Sequence, residues 1–310
     1  MARVKHEHGK WSQATVCGWF GISRHAHYKY VHQEQSDFVD EESILLAIKE
    51  IRKTHPKLGG RKLYKELQSF FKTSSIKMGR DAFFDLLYRN NLLIQRKKRY
   101  HITTMSKHWL LKYPNLIKDF TPTISNQLWV SDITYIKIGN RFYYISFITD
   151  AYSHKIVGYH VAESLHSAET IKALKMALRE LSDSFQSHFQ LIHHSDRGVQ
   201  YCEQNYVKLL QNNGIRISMT QTGDPRENAI AERVNGIIKT EYLFDCKDIS
   251  FREVKKRVAK AVKSYNTTRP HLSIGNHYPN FVHKNKIEIQ SLWKNYKQKK
   301  LILQTYFRTQ

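Results

Sequence analysis

The chain has 310 residues, 41% hydrophobic, 12% aromatic and 25% charged, enough for two or three domains of ~100–200 residues each and incompatible with disorder throughout. No apolar run reaches the ~18 residues of a membrane helix and the charged N-terminal stretch has no hydrophobic region behind it, so neither a spanning segment nor a secretory signal is expected and the cytoplasm is the expected location. Lys and Arg number 50 against 27 Asp and Glu, a net +23 spread as +12 over residues 1–122, zero over 123–247 and +11 over 248–310, which points to a polyanion, DNA rather than a membrane surface, unless the basic faces are merely solvated.

Residues 1–40 predict a helical fragment: a helix over 11–20, Gly21-Ile22 as the turn, and Ser23 capping a second helix over 24–31. Residues 41–113 predict three short helices. Ile44, Leu45, Ile48 and Ile51 share a face, His55-Pro56 and Gly59-Gly60 interrupt, Leu63, Tyr64, Leu67 and Phe70 resume, and Phe83, Leu86 and Leu87 follow. Ending in Arg96-Lys97-Lys98-Arg99-Tyr100, they suit a helix-turn-helix-like DNA-binding module with a basic arm along phosphates, or a bundle that only packs on the next domain. Residues 114–127, with Pro114 and Pro122 among Thr, Ser and Asn, read as a linker.

The periodicity then changes. Residues 128–136 form a β-rich run, Gly139-Asn140 supplies a hairpin turn, 141–149 answer, and 154–161 add a third strand. A helix over 167–181, a buried strand over 191–195, a helix over 203–212 stopped by Gly214, a strand over 215–220 and a closing helix over 228–242 complete the domain at 128–247. This order predicts an α/β domain, a mixed five-stranded sheet with flanking helices, preceded by the all-α region. Residues 248–310 read as a basic helical segment whose stretches 252–263 and 284–300 grip target or flanking DNA, with Trp293 and Tyr296 as packing residues or stacking platforms. Cys17, Cys202 and Cys246 are scattered and odd in number, so reduced thiols are expected.

Three carboxylates occupy positions that metal chemistry requires. Asp132 lies inside an apolar strand, Asp196 ends the fourth strand, and Glu232 sits in the first turns of the last helix, thirty-five residues beyond Asp196. A charge inside an apolar strand is costly unless something neutralises it, whereas Asp150 reads as a turn or edge residue. At ~100° per residue, Ile230, Val234, Ile237 and Ile238 share one helix face and Glu232, Asn235, Gly236 and Lys239 the open one. Strand ends and an overlying helix bring such acids to one point, where two divalent cations can be held by carboxylates and substrate phosphates.

The motifs Trp129-Val130-Ser131-Asp132-Ile133-Thr134-Tyr135, His194-Ser195-Asp196-Arg197-Gly198-Val199-Gln200-Tyr201, Glu227-Asn228-Ala229-Ile230-Ala231-Glu232, Lys239 and Tyr265-Asn266-Thr267-Thr268-Arg269-Pro270-His271 resemble the transposases of the IS-three group of bacterial insertion sequences. That group shares the retroviral-integrase catalytic core, an RNase H-like fold. His55-Pro56-Lys57-Leu58-Gly59-Gly60-Arg61-Lys62 resembles its small helix-turn-helix module, so the likeness spans nearly the whole chain. It implies that Asp132, Asp196 and Glu232 are the catalytic triad binding two Mg²⁺ or Mn²⁺ ions, that Lys239 contacts DNA near the active site, and that Arg61, Lys62 and Arg197 belong to the DNA-binding surface. Position 227 is Glu where the group usually has Asp. Members often work as frameshift fusions; without a sustained heptad repeat this chain resembles the downstream product, which implies an upstream-frame partner and a homo-oligomer on DNA.

The implied activity is metal-dependent cleavage and transfer of strands at the element's terminal inverted repeats. His193 and His194 either orient a phosphate or water or are satisfied within the fold. Residues 265–271 read as a structural turn against the core, with a DNA contact by Arg269 as the alternative. Rival functions are a nuclease of the RNase H class without strand transfer, an inactive DNA-binding remnant, and a tyrosine recombinase using His194 and Arg197, whose remaining arginine and histidine context is missing.

Overall fold

The computed structural model describes residues 11–94, 109–182, 191–222, 225–244, 249–285, 287 and 289. The chain divides into two compact units, residues 1–54 with 58–95, and residues 55–57 with 96–310. No described helix is long and apolar enough to cross a membrane.

The first unit is all helical. Its elements are α1 (Gln13–Trp19), α2 (Arg24–Thr54), α3 (Gly60–Glu66), α4 (Gln68–Thr73) and α5 (Arg80–Arg89). Ser23 caps α2, its Oγ accepting from the Ala26 N–H at 3.1 Å. The expected break between residues 31 and 41 is absent: α2 runs through it, so a boundary at 40/41 falls inside a helix. Residues 32–40 contain neither Gly nor Pro, and nothing in them stops a helix already running. Ile44, Ile48, Leu58, Leu63, Leu67, Phe71, Phe83, Leu86 and Leu87 form the core, confirming the three apolar faces. The basic arm at 96–100 lies outside the described residues.

The second unit is built on five strands, β1 (Leu128–Ile138), β2 (Arg141–Asp150), β3 (Ile156–Ala162), β4 (Ile192–Ser195) and β5 (Arg216–Met219), in the order β3-β2-β1-β4-β5. β1, β2 and β3 form an antiparallel meander, and β4 and β5 run parallel to β1. Gly139, at φ 57°, makes the β1–β2 turn. Between strands lie α6 (Ser167–Ser182), the short α7 (Val199–Cys202) and α8 (Gln204–Asn212); α9 (Ala229–Ile237), a π-turn (Ile238–Tyr242), α10 (Phe251–Thr268) and α11 (Pro279–Lys284) follow β5. α6 and α8 cover one face with Ala173, Leu174, Ala177, Tyr206 and Leu210. α9 and α10 cover the other with Val234, Ile237, Val254, Val258, Ala261 and Tyr265 against Ile136, Ile145 and Phe147. This is the mixed, doubly covered sheet the element order predicts, with the RNase H-like arrangement that the resemblance implies. β3 approaches α6 so closely that a Cβ at Gly158 would lie 2.3 Å from the Ala173 carbonyl oxygen.

Two expected boundaries dissolve in the core. Residues 114–127 are more than a linker: Pro114 O accepts the Met219 N–H (3.2 Å), the Leu116 N–H reaches Ser218 Oγ (2.9 Å), and Leu116 and Ile117 pack on Leu128 and Val130. These bonds tie the segment to the end of β5. α10 is no separate basic segment either, since its apolar face belongs to the sheet's core while Arg252, Lys255, Lys256, Lys260 and Lys263 stay exposed. Strict amphipathicity lets one helix serve both purposes. Trp293 and Tyr296 lie outside the described residues.

Candidate active site

β1 delivers Asp132 to the sheet face covered by α9, because side chains alternate and Asp132 pairs across from buried Phe147. β4 delivers Asp196. Parallel pairing sets Leu128 beside Ile192 and Val130 beside His194, and the same register carried two residues further brings Asp196 alongside Asp132. Asp196 Oδ1 accepts the Gly198 N–H at 3.0 Å, turning the chain sharply into α7. Glu232 rises from the first turn of α9 and is exposed.

Two asparagines stitch α9 to β1. Asn228 Nδ2 donates to the Ser131 carbonyl (2.9 Å), and seven residues on, Asn235 Nδ2 donates to Asp132 Oδ2 (2.7 Å). Asp132 Oδ1 accepts its neighbour's Ile133 N–H at 2.8 Å. The helical angle assigns Asn235 and Gly236 to an open face, yet both are buried. That face lies over Asp132, so polar residues on it meet a carboxylate rather than water. The seven-residue spacing of Asn228 and Asn235, which places both on one face of the helix, was the sequence signal available for this pair. Glu227 also acts locally: its Oε2 accepts the N–H groups of Gln221 (2.7 Å) and Thr222 (3.0 Å), fixing the approach to α9.

The electrostatics show Asp196 and Glu232 both acting on Asp132. Burial, then the negative charge of Asp196 and to a lesser extent that of Glu232, push the Asp132 carboxyl up to about 7 against the opposing bonds from Ile133 and Asn235. Burial also raises Glu232. A buried carboxylate whose ionisation is opposed by two neighbouring carboxylates is the all-oxygen donor chemistry that a hard divalent cation relieves. Among the described residues no three His, Cys, Asp or Glu side chains stand close enough to enclose one ion. A cation at Asp132, Asp196 and Glu232 would have to take its remaining ligands from water or substrate, as Mg²⁺ commonly does.

The remaining candidates separate. Lys239 lies in the π-turn, half-buried, its Nζ 4.7 Å from the Tyr135 ring centroid. Arg197 is half-buried next to Asp196; Arg61 is exposed and Lys62 half-buried in the first turn of α3. Arg269 corrects the DNA-contact alternative, because it is 0% exposed and bonded to Glu241, as a structural turn requires. His193 and His194 are each bonded inside the fold through one ring nitrogen: His193 Nε2 lies 2.7 Å from Ser131 Oγ and 3.0 Å from Tyr206 Oη, and His194 Nδ1 lies 2.8 Å from Ser218 Oγ, while His193 Nδ1 and His194 Nε2 are buried without a hydrogen bond among the described residues. Burial lowers them to about 3 and about 4, so both rings are neutral near pH 7. Asp150 is the expected turn residue, accepting from Ser153 N and Oγ and from the Asn126 N–H.

Residues 122–225 and 213–279 each match a family described as an integrase core domain. The insertion element IS600 uncharacterized 31 kDa protein of Shigella sonnei is 35% identical over 271 residues, covering 85% of this chain and 96% of that protein. The transposase for insertion sequence element IS629, also of Shigella sonnei, is 32% identical over 167 residues, covering 54% of this chain and 55% of its own length. The chain thus spans nearly all of the first relative and about half of the second. Among solved structures, the HTLV-2 integrase catalytic core domain in complex with magnesium is similar at 22% identity and a TM-score of 0.42, covering 52% of this chain and 97% of that domain. With its five-stranded sheet, its integrase-core match and a relative matched almost end to end, the chain belongs to the insertion-sequence transposases built on an integrase core domain.

Proposed function

We propose that the protein cleaves and joins DNA strands at the terminal inverted repeats of an insertion sequence, with Asp132, Asp196 and Glu232 holding two Mg²⁺ or Mn²⁺ ions. The observation that carries this is the Asp132 carboxyl, raised to about 7 by burial and by the charges of Asp196 and Glu232. When bound, such cations offset the charge that gathers on the phosphate oxygens during in-line displacement.

The chain's own groups supply position. Asn235 keeps Asp132 Oδ2 turned toward α9, and the Gly198 N–H holds Asp196 Oδ1 at the turn into α7. Lys239, two helical turns beyond Glu232, takes a DNA phosphate. No side chain acts as nucleophile. Tyr201 and Tyr206 are buried, which drives their hydroxyls well above the ordinary range and keeps them protonated. Water attacks phosphorus and displaces a 3′-hydroxyl, which then attacks a target phosphodiester and displaces another. The exposed lysines and arginines of α10, with Arg61, Lys62 and Arg197, bind flanking duplex. The chain works in the cytoplasm as a homo-oligomer on DNA, with an upstream-frame protein as partner or fusion.

The test is a labelled duplex carrying the repeat that flanks the gene, incubated with the full chain and, in parallel, with the upstream-frame product. Free 3′-hydroxyl ends and joined strands should appear with Mg²⁺ or Mn²⁺ and vanish in EDTA. Asp132→Asn, Asp196→Asn and Glu232→Gln should each remove both products while leaving DNA binding. Near-normal cleavage by any of the three variants would refute the site; cleavage without joining would favour the nuclease.

A further inference from the structure

Residues 265–271 close α10 with three anchors. Tyr265 Oη donates to the His154 carbonyl (2.9 Å), and the Asn266 amide exchanges two hydrogen bonds with the Ile156 backbone (3.0 and 2.9 Å). Both tie the helix end to the start of β3. The third anchor reaches the other side of the site. Arg269 Nε and Nη2 donate to Glu241 Oε2 and Oε1 at 2.8 and 2.7 Å, and Glu241 belongs to the π-turn that follows α9.

This ion pair is unusual in its burial. The Arg269 side chain is 0% exposed and that of Glu241 only 16%. Removing a guanidinium from water is costly, and the cost is offset only where geometry is good. A two-point fork, unlike a lysine's single charge, fixes orientation as well as distance. The element it holds needs such support, since π-helical turns are rare, mostly single, and concentrated at functional sites. The wider turn also redirects the side chains it carries relative to those of α9. One of these is Lys239, over Tyr135 three residues along β1 from Asp132.

We infer that the Arg269–Glu241 pair is a positioning device for Lys239: from the end of α10 it clamps the π-turn, and so sets where the lysine's ammonium stands relative to β1. This rests on the DNA-binding role proposed above for Lys239. Arg269 touches no substrate and acts only through the turn.

A merely structural clamp and a positioning clamp differ in coupling. Replacing a buried ion pair with apolar side chains of similar volume often preserves stability, so Arg269→Met combined with Glu241→Leu should melt near the unsubstituted chain, whereas Arg269→Met alone should melt lower. Binding of a fluorescein-labelled duplex by the full chain is then read by anisotropy in EDTA, where no chemistry occurs. Lys239→Ala and the paired Met/Leu substitution should each weaken binding, roughly threefold to tenfold for a single phosphate interaction at moderate salt. Combined, they should weaken it no further than either alone, because neighbours that act as one unit are not additive. Arg269→Lys, which keeps the charge but not the fork, provides a second cycle with the same expectation should the paired variant fold poorly. Fold-changes that multiply would overturn the inference, as would wild-type affinity in the paired or Lys239→Ala variants. Metal-dependent cleavage by the unsubstituted chain decides the proposed function separately, so the two failures are distinguishable.

Discussion

Replacing Asp132 by Asn should stabilise the cation-free protein at alkaline pH, although it removes the central carboxylate. The Asp132 carboxyl stands at about 7 in the fold against 3.8 ordinarily. An acid raised on folding favours the native state while protonated, so its contribution is lost as pH climbs from about 4 to about 7 and stays lost above. At ~1.4 kcal/mol per pH unit this amounts to ~4 kcal/mol at most, and the partial exposure of Asp132 reduces it to ~2 kcal/mol. The amide retains one acceptor for two donors, the Ile133 N–H and Asn235 Nδ2, which sacrifices ~1 kcal/mol. The net gain is ~1 kcal/mol at pH 8, a rise in Tm of ~2–4 °C for a unit of this size. At pH 5 most of the penalty has gone, and the two proteins should melt together. Adding millimolar MgCl₂ at pH 8 should raise the Tm of the unsubstituted chain and leave that of Asp132→Asn in place, since only the carboxylate gains a ligand. Thermal unfolding followed by circular dichroism at both pH values, in EDTA and in Mg²⁺, checks all four cases. Equal Tm values at pH 8 in EDTA, or an equal response to Mg²⁺, would refute the electrostatic reasoning.

Changing Lys255, Lys256, Lys260 and Lys263 to Gln should flatten the dependence of duplex affinity on salt by ~0.9 in log–log slope for each phosphate no longer neutralised, and an unaltered slope would show that this face of α10 is solvated rather than bound. Gly158→Ala should lower stability by ~1–3 kcal/mol, since its methyl would lie 2.3 Å from the Ala173 carbonyl oxygen and must push β3 from α6. A chemical denaturation midpoint matching that of the unsubstituted chain would show that the two elements separate freely.

Strand alternation, the Gly139-Asn140 turn and the apolar faces of α6 and α9 were legible because local patterns dictated them. Asp132 could be singled out for the same reason, as a charge where the strand pattern demands an apolar residue. What was hidden depends on contacts remote in sequence. Asn235 looks solvated until the strand beneath it is known to carry a carboxylate. Arg269 looks like a DNA ligand until Glu241, twenty-eight residues earlier, is seen to neutralise it. The continuity of α2 escaped periodicity because residues 32–40 lack an apolar stripe, and a helix extending from a packed segment needs none. Residues 114–127 have a linker's composition, yet their backbone pairs with β5, and backbone hydrogen bonding leaves little trace in side-chain chemistry.

Each edge strand of the sheet has one residue whose outward backbone is already bonded, by different means. At β5 the Pro114 carbonyl takes the Met219 N–H, and at the start of β3 the Asn266 amide takes the N–H and carbonyl of Ile156, bonds that an incoming strand would otherwise seek. In the homo-oligomer proposed above, copies on one DNA end would be locally concentrated, the condition under which exposed strand edges recruit each other into aggregates. With these groups occupied, the start of β3 and the end of β5 offer fewer free positions for backbone zippering between such copies.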